Sequence, residues 1–336
     1  VEDRLLQGRS DLVCSAESPF TYMDEPFRVG VKLTAKGLSD SGNYTTVNYR
    51  GAYAKLDSYS ELMFRAIEEV EDGLDVDHSA RLANESIPTS FAATWSNGEI
   101  VLDGELILQR NSPAAPDGPF PAMQIAFLPT DEDGVTIDPE RDGLTDTGVL
   151  DVILDSVSPD PLFHLIEEHA FRYGRLIINN AYGPETEDLA LTFVAEYFDG
   201  SRFVRNTLDN CTTIDVADLS FVGGTYTGNL NAGETTLVTP DTVTLLEGQT
   251  QGLENVVPPT EPVDAPLQTS APGEGNSGTV NVTLDLEDAG LKYLGFEWDS
   301  VDDDYDEDPT GVIEFGQYRM HDRVINWQEV YNRPTP

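Results

Sequence analysis

The sequence predicts an all-β protein of two immunoglobulin-like β-sandwich domains with acidic loops and a long Pro/Gly-rich loop. Three observations predict it. The first is strict alternation. Phe27, Val29, Val31, Leu33 and Ala35 interleave with Arg28, Gly30, Lys32 and Thr34, the period of a strand with one buried face. The second is recurrence: the same period returns around 100–108, 189–197 and 280–286. The third is punctuation. Asn97-Gly98 and Asp199-Gly200 are hairpin signals, and the four prolines between 112 and 121 exclude that stretch from a sheet interior.

In chain order, residues 1–19 form an N-terminal extension with apolar patches at Leu5-Leu6 and Leu12-Val13. The first domain is expected over 20–128. Its strands begin with the run from Phe27, followed by a loop at 37–42 and a second strand at 44–49. Residues 57–74 are ambiguous, because Leu62, Met63, Ala66, Ile67 and Val70 recur at helical spacing. The β surroundings favour a strand through Leu62, Phe64 and Ala66. Another strand is expected at 100–108, with Gly104 as a bulge, and one more at 123–128.

Residues 129–170 read as an acidic connecting segment, with a short apolar stretch at 150–154 and a helical turn at 161–169. The second domain is expected over 171–336. Its strands are placed at 189–198, 203–206, 235–246, 279–286, 311–318 and 323–331. Between them, 251–278 is rich in Pro, Gly, Glu and Ser, the composition of a long exposed loop.

The charge balance narrows the function. Asp and Glu number 61 against 19 Lys and Arg, a net charge of −42. Lysine supplies only 4 of those cations and arginine 15. So acidic a chain is a poor partner for nucleic acid, whose phosphates need a basic face, and for anionic membrane surfaces. Two readings of the acidity stay open: a hydrated surface suited to high salt, or carboxylates that hold Ca²⁺. No apolar run approaches the roughly 20 residues of a membrane span. Val1-Glu2-Asp3-Arg4 carries no signal-peptide pattern, so a mature or trimmed product is expected.

Several stretches carry a family resemblance. FRYGRLIINNAYGPE opens at Phe171, and AEYFDGSRFVRNTLDNCT runs from Ala195 to Thr212. Upstream lie FTYMDEPF from Phe20 and NYRGAYAK from Asn48. Near the end come Pro309-Thr310-Gly311, FGQYR from Phe315 and DRVINWQEVY from Asp322. Together these span roughly residues 12–331 and resemble the C-terminal domain-of-unknown-function family of MshQ, a biogenesis protein of the MSHA type IV pilus. The resemblance implies an exported, extracellular or cell-surface protein, with no catalytic residues to carry over. In that setting the two cysteines, Cys14 and Cys211, are expected to form a disulfide.

Metal candidates are the acidic turns. Asp131, Asp133 and Asp138 surround Gly134, and Asp302, Asp304 and Asp306 belong to a dense carboxylate run. Ca²⁺ takes six to eight oxygens from such groups, so structural Ca²⁺ is the expected cofactor; the alternative is a solvated acidic surface. His164 and His169 lie five apart, not the four that HExxH zinc chemistry needs. No nucleophile–base pair, P-loop or dinucleotide fingerprint is present.

The expected function is therefore a non-catalytic structural or adhesive component of a pilus or other surface filament. Its partners would be further copies of itself or other pilus and surface proteins. Either chain end would then add to a neighbour's sheet edge or pack within its own monomer, the latter favoured. The alternative is a carbohydrate-binding or polysaccharide-acting secreted module, with Trp95, Trp298 and Trp327 as candidate sugar platforms.

Overall fold

The computed structural model describes residues 4–9, 20–39, 42–70, 74–136, 151–153, 162–238, 241–250, 267–298, 305 and 307–317. These residues form an all-β sandwich architecture, with strands joined by turns and short 3₁₀ segments.

The first hydrophobic core lies between two sheets. One sheet orders Arg4–Gln7, Phe27–Thr34, Glu99–Leu108 and Leu82–Asn84, all antiparallel. The other orders Asp151–Ile153, Leu162–Arg172, Phe120–Phe127, Arg65–Glu68 and Val76–Asp77. Phe20–Tyr22 adds to it, parallel to the end of Leu162–Arg172. Val29, Val31, Leu33, Leu102 and Leu106 of one sheet meet Met123, Ile125 and Phe127 of the other.

The alternation from Phe27 is realised residue by residue, buried then half-buried along the whole strand. Asn97 and Gly98 take φ of 53° and 79°, the left-handed pair that a two-residue hairpin turn requires. The N-terminal patch is also used, since Leu6 is buried in the first core.

Three local expectations are corrected. The register from Phe27↔Leu106 to Thr34↔Glu99 is unbroken, so Gly104 is not a bulge. A Cβ at Gly104 would lie 2.7 Å from the backbone nitrogen of Ile87; glycine is needed because another backbone crosses there. Residues 162–169 do not turn helically. Leu162–Arg172 is a strand paired with Phe120–Phe127 on one edge and Asp151–Ile153 on the other, and two sheet partners override local spacing. The stretch at 57–74 divides into a 3₁₀ turn, Tyr59–Leu62, and a strand, Arg65–Glu68. A Ser58–Glu61 capping box starts the turn, and Met63 at φ 48° ends it.

The second core is enclosed by smaller sheets. Gly174–Ile178, Phe193–Phe198 and Phe203–Arg205 form one. Ala181–Gly183, Thr310–Phe315, Gly278–Leu284 and Leu219–Phe221 form another. The single alternating run at 189–197 serves two sheets: Leu189–Ala190 pairs with Gln268–Thr269, and Phe193–Phe198 with Gly174–Ile178. The expected strand at 235–246 resolves into Leu237–Val238 and Thr242–Thr244. The strand expected at 323–331 and most of the loop at 251–278 lie outside the described residues.

Among the described residues no linker separates the cores. Leu162–Arg172 runs through Tyr173 directly into Gly174–Ile178. Phe171 and Tyr173 pack in the first core, whereas Phe20 and Tyr22, on the neighbouring parallel strand, pack in the second. A Cβ at Gly174 would lie 2.4 Å from the Tyr22 ring, so the bare backbone there admits that ring.

Candidate functional site

The most unusual chemistry among the described residues is buried at this junction. Arg9 is 1% exposed, and a guanidinium so enclosed needs anionic partners. Its Nε lies 3.2 Å from Glu25 Oε1 and its Nη1 3.1 Å from Asp209 Oδ2. Nη2 donates to Thr212 Oγ1 at 2.6 Å. The guanidinium also sits 4.9 Å from the ring centre of Tyr22 and 5.8 Å from that of Tyr293, within cation–π range.

Each carboxylate is held in place by its own loop. Glu25 follows the strand Phe20–Tyr22, and its Oε2 accepts the Tyr22 N–H at 3.1 Å. Asp209, which is 0% exposed, organises the turn after Phe203–Arg205. Its Oδ1 accepts the Cys211 and Thr212 N–H groups at 3.2 and 3.0 Å. Its Oδ2 accepts the hydroxyls of Thr212 at 2.5 Å and Tyr22 at 2.9 Å. Asn206 Nδ2 donates to the Tyr22 hydroxyl at 2.7 Å, and Arg172 donates to Asn206 Oδ1.

The electrostatics split the two acids. Burial pushes the Glu25 carboxyl up to about 7 despite the attraction of Arg9. Burial pushes Asp209 up as well, but Arg9 and the donors from Thr212 and Cys211 outweigh it and hold Asp209 below the ordinary carboxylate range. Burial also raises the Tyr22 and Tyr293 phenols well above their ordinary value.

A second arginine fastens the same junction from another side. Asp24, at φ 65°, accepts Arg110 N at 2.9 Å and Arg110 Nε at 2.6 Å. Arg110 Nη1 donates to Gly295 O at 2.6 Å and Gly174 O at 3.3 Å. The guanidinium stacks 3.8 Å from the centre of the Tyr305 ring, and the Tyr305 and Tyr173 hydroxyls are 2.6 Å apart.

Comparison with protein families explains where these residues fall. Residues 6–147 match the third domain of DUF6701, and residues 172–330 match its fourth domain. The chain belongs to the DUF6701 family. No curated protein and no solved structure matches it. Arg9, Tyr22, Asp24, Glu25 and Arg110 come from the third domain; Arg172, Asn206, Asp209, Thr212 and Tyr293 come from the fourth. Arg9 and Arg110 therefore reach from one DUF6701 domain into the next.

The sequence candidates fare unevenly. Asp131 Oδ1 accepts the N–H groups of Asp133 and Val135 at 3.0 and 2.8 Å, so it closes its own turn. Asp133 is exposed, and Lys55 pairs with Glu132 at 3.2 Å. Asp138, Asp302, Asp304 and Asp306 lie outside the described residues. Among the described residues no group of three or more His, Cys, Asp or Glu is placed to hold a metal.

Cys211 is buried beside Asp209, while Cys14 lies outside the described residues. Among the described residues there is no free cysteine thiol. His164 and His169 sit on one strand, five residues or roughly 16 Å apart. His169 Nε2 is 2.8 Å from Thr21 Oγ1, and His164 packs beside the Phe127 ring. Trp95 is corrected as a sugar platform: it is 5% exposed, with Nε1 donating to Leu56 O at 2.8 Å. Trp298 is 41% exposed, and Trp327 lies outside the described residues. No helix among the described residues is long and apolar enough to cross a membrane.

The stretches that carried the resemblance converge here. FTYMDEPF supplies Tyr22, Asp24 and Glu25, and NTLDNCT supplies Asn206, Asp209 and Thr212. Sequence reasoning missed Arg9, Arg110 and Tyr293. The signal for the arginines was faint: each stands among small, polar and apolar residues, where a lone cation reads as exposed.

Proposed function

We propose that this tandem of DUF6701 domains is a non-catalytic structural or adhesive unit, exported and built into a pilus or other cell-surface assembly. The supporting observation is the sealed junction. A continuous strand and two buried arginines fasten the third domain to the fourth, as a stiff spacer or adhesin stalk requires. Arg9 and Asp209 are 1% and 0% exposed, an arrangement suited to holding two bodies together rather than to turning over a substrate. The resemblance to the MshQ family supports the surface setting.

A Cys14–Cys211 disulfide fits the same reading. Arg9 bonds Thr212, the neighbour of Cys211, and the five residues from Arg9 to Cys14 span at most about 18 Å. Structural Ca²⁺ in the acidic loops completes the proposal. Immunogold electron microscopy of native cells tests it: label is expected along surface structures, and label confined to the cell interior would reject the reading. For calcium, EDTA is expected to lower Tm by a few degrees relative to Ca²⁺-saturated protein; an unchanged Tm removes the ion from the proposal.

A further inference from the structure

The fourth domain carries an open groove of about 680 Å³ between the strands Gly174–Ile178 and Gly278–Leu284 and the loops around Trp298 and Glu307. Its lining includes Ile177, Val222, Pro309, Thr283 and Thr310, an apolar floor with hydroxyls on it. Trp298 also lines it, and Glu307 and Asp308 add acidic groups.

The indole is braced rather than loose. The Phe296 ring meets it edge-on, with centres 5.2 Å apart at 63°. The Arg175 guanidinium stacks 5.1 Å from its centre and is itself paired with Glu196 at 2.7 Å. The Trp298 backbone N–H donates to Glu307 Oε2, which ties the two loops together. A large apolar ring that stays 41% exposed beside these supports is a rigid flat surface offered to solvent, and such a surface binds at low entropic cost.

We propose that this groove binds an uncharged saccharide chain, with Trp298 as its stacking platform. A sugar ring presents an apolar face of C–H groups and a rim of hydroxyls. The first matches the indole; the second matches the acceptors that line the groove. Asp308 uses one lone-pair site on the Leu286 N–H at 2.9 Å, and an ionised carboxylate has about four. The Thr310 hydroxyl donates to Thr283 Oγ1 at 3.2 Å and the Thr283 hydroxyl to Pro309 O at 3.2 Å, which leaves Thr310 Oγ1 as an acceptor. Anionic glycans are disfavoured by the two carboxylates and by the net charge of −42.

The groove's wall is set by the neighbouring domain. Arg110 of the third domain bonds Gly295 O and stacks on Tyr305, three residues before Trp298 and two before Glu307. The inference rests on the adhesive reading above and gives it a ligand class.

Affinity electrophoresis of the full chain tests it, through gels containing dextran, laminarin or galactomannan, with alginate as the anionic control. At least one uncharged polysaccharide is expected to retard the protein, and alginate to leave it unretarded. Trp298→Ala is expected to weaken the retardation at least about tenfold in a chain that still unfolds in one cooperative transition, and Thr310→Arg, which fills the groove, to weaken it likewise. The inference is overturned if no uncharged polysaccharide retards the chain, if alginate retards it most, or if Trp298→Ala is retarded like the wild type. Surface label without retardation would remove the saccharide and leave the assembly reading standing.

Discussion

The two junction arginines solve one problem in two ways. Arg9 lies between two carboxyl groups, Glu25 and Asp209, drawn from different domains. Arg110 has one carboxylate, Asp24, from its own domain, and reaches the other through the carbonyls of Gly295 and Gly174. The first is a charge network in which each ion depends on the others. The second is a clamp on backbone, which holds position without needing a particular side chain opposite. Removal of a cation should therefore do more harm at Arg9, where it strands the fully buried Asp209, than at Arg110, where the carboxylate left behind, Asp24, is partly exposed and the other acceptors are neutral carbonyls.

The largest effect follows from that difference. Arg9→Ala leaves Asp209 buried without its counter-charge, and is expected to lose about 3–5 kcal/mol of stability, read by urea denaturation. Arg9→Met, which keeps the aliphatic stem, is expected to lose nearly as much, because volume is not what the site lacks. Equal stability for Arg9→Ala and wild type would break the comparison from the Arg9 side.

Arg110→Ala comes second, at up to about 3 kcal/mol. Its distinguishing sign lies in the fourth domain. Gly295 and Tyr305 lose their anchor, so the nearby Trp298 is expected to emit at longer wavelength and to be quenched more readily by acrylamide. A loss of stability without that change at Trp298 would mean that Arg110 supports only its own domain.

These two sites also mark the limit of what the sequence displays. Period-two burial is a local signal, and the run from Phe27 to Ala35 was legible because one face meets a core and the other meets water. Gly104 was legible as special but not as to why, since the backbone of Ile87 arrives from a distance. Residues 161–169 read as a helical turn, an expectation that the two sheet partners of Leu162–Arg172 overrule. Tyr22, Asp24, Asp209 and Thr212 stood in stretches singled out for resemblance, yet nothing local says that they meet. Buried charge is least legible of all, because its signature is a partner many residues away: Arg9 and Thr212 are 203 positions apart. Trp95 and Trp298 show the same limit, identical in composition and opposite in exposure.

The smallest of the expected effects tests the charge network without dismantling it. Glu25 is raised to about 7 in the folded protein, so the folded state holds its proton more tightly than the unfolded chain does. Between the ordinary carboxylate range and pH 7, folding then takes up a proton, and stability must fall as pH rises. From pH 5 to pH 7 the loss from this one group is about 2 kcal/mol, at about 1.4 kcal/mol per unit over most of the interval. Asp209 has the opposite sign: held below the ordinary range, it contributes stability above that range and loses it as the pH falls further. The third and fourth domains should thus be most firmly joined in mild acid, with separate losses on either side. Glu25→Gln keeps an oxygen acceptor for the Tyr22 N–H and cannot titrate, so it is expected to flatten the pH 5–7 limb and leave the acid limb in place. Denaturation midpoints measured from pH 3 to 8 for both proteins separate this from the general relief of repulsion among the other acidic residues, which both proteins share. Parallel curves for wild type and variant would show that Glu25 does not carry the limb, and that it stays ionised beside Arg9 together with Asp209.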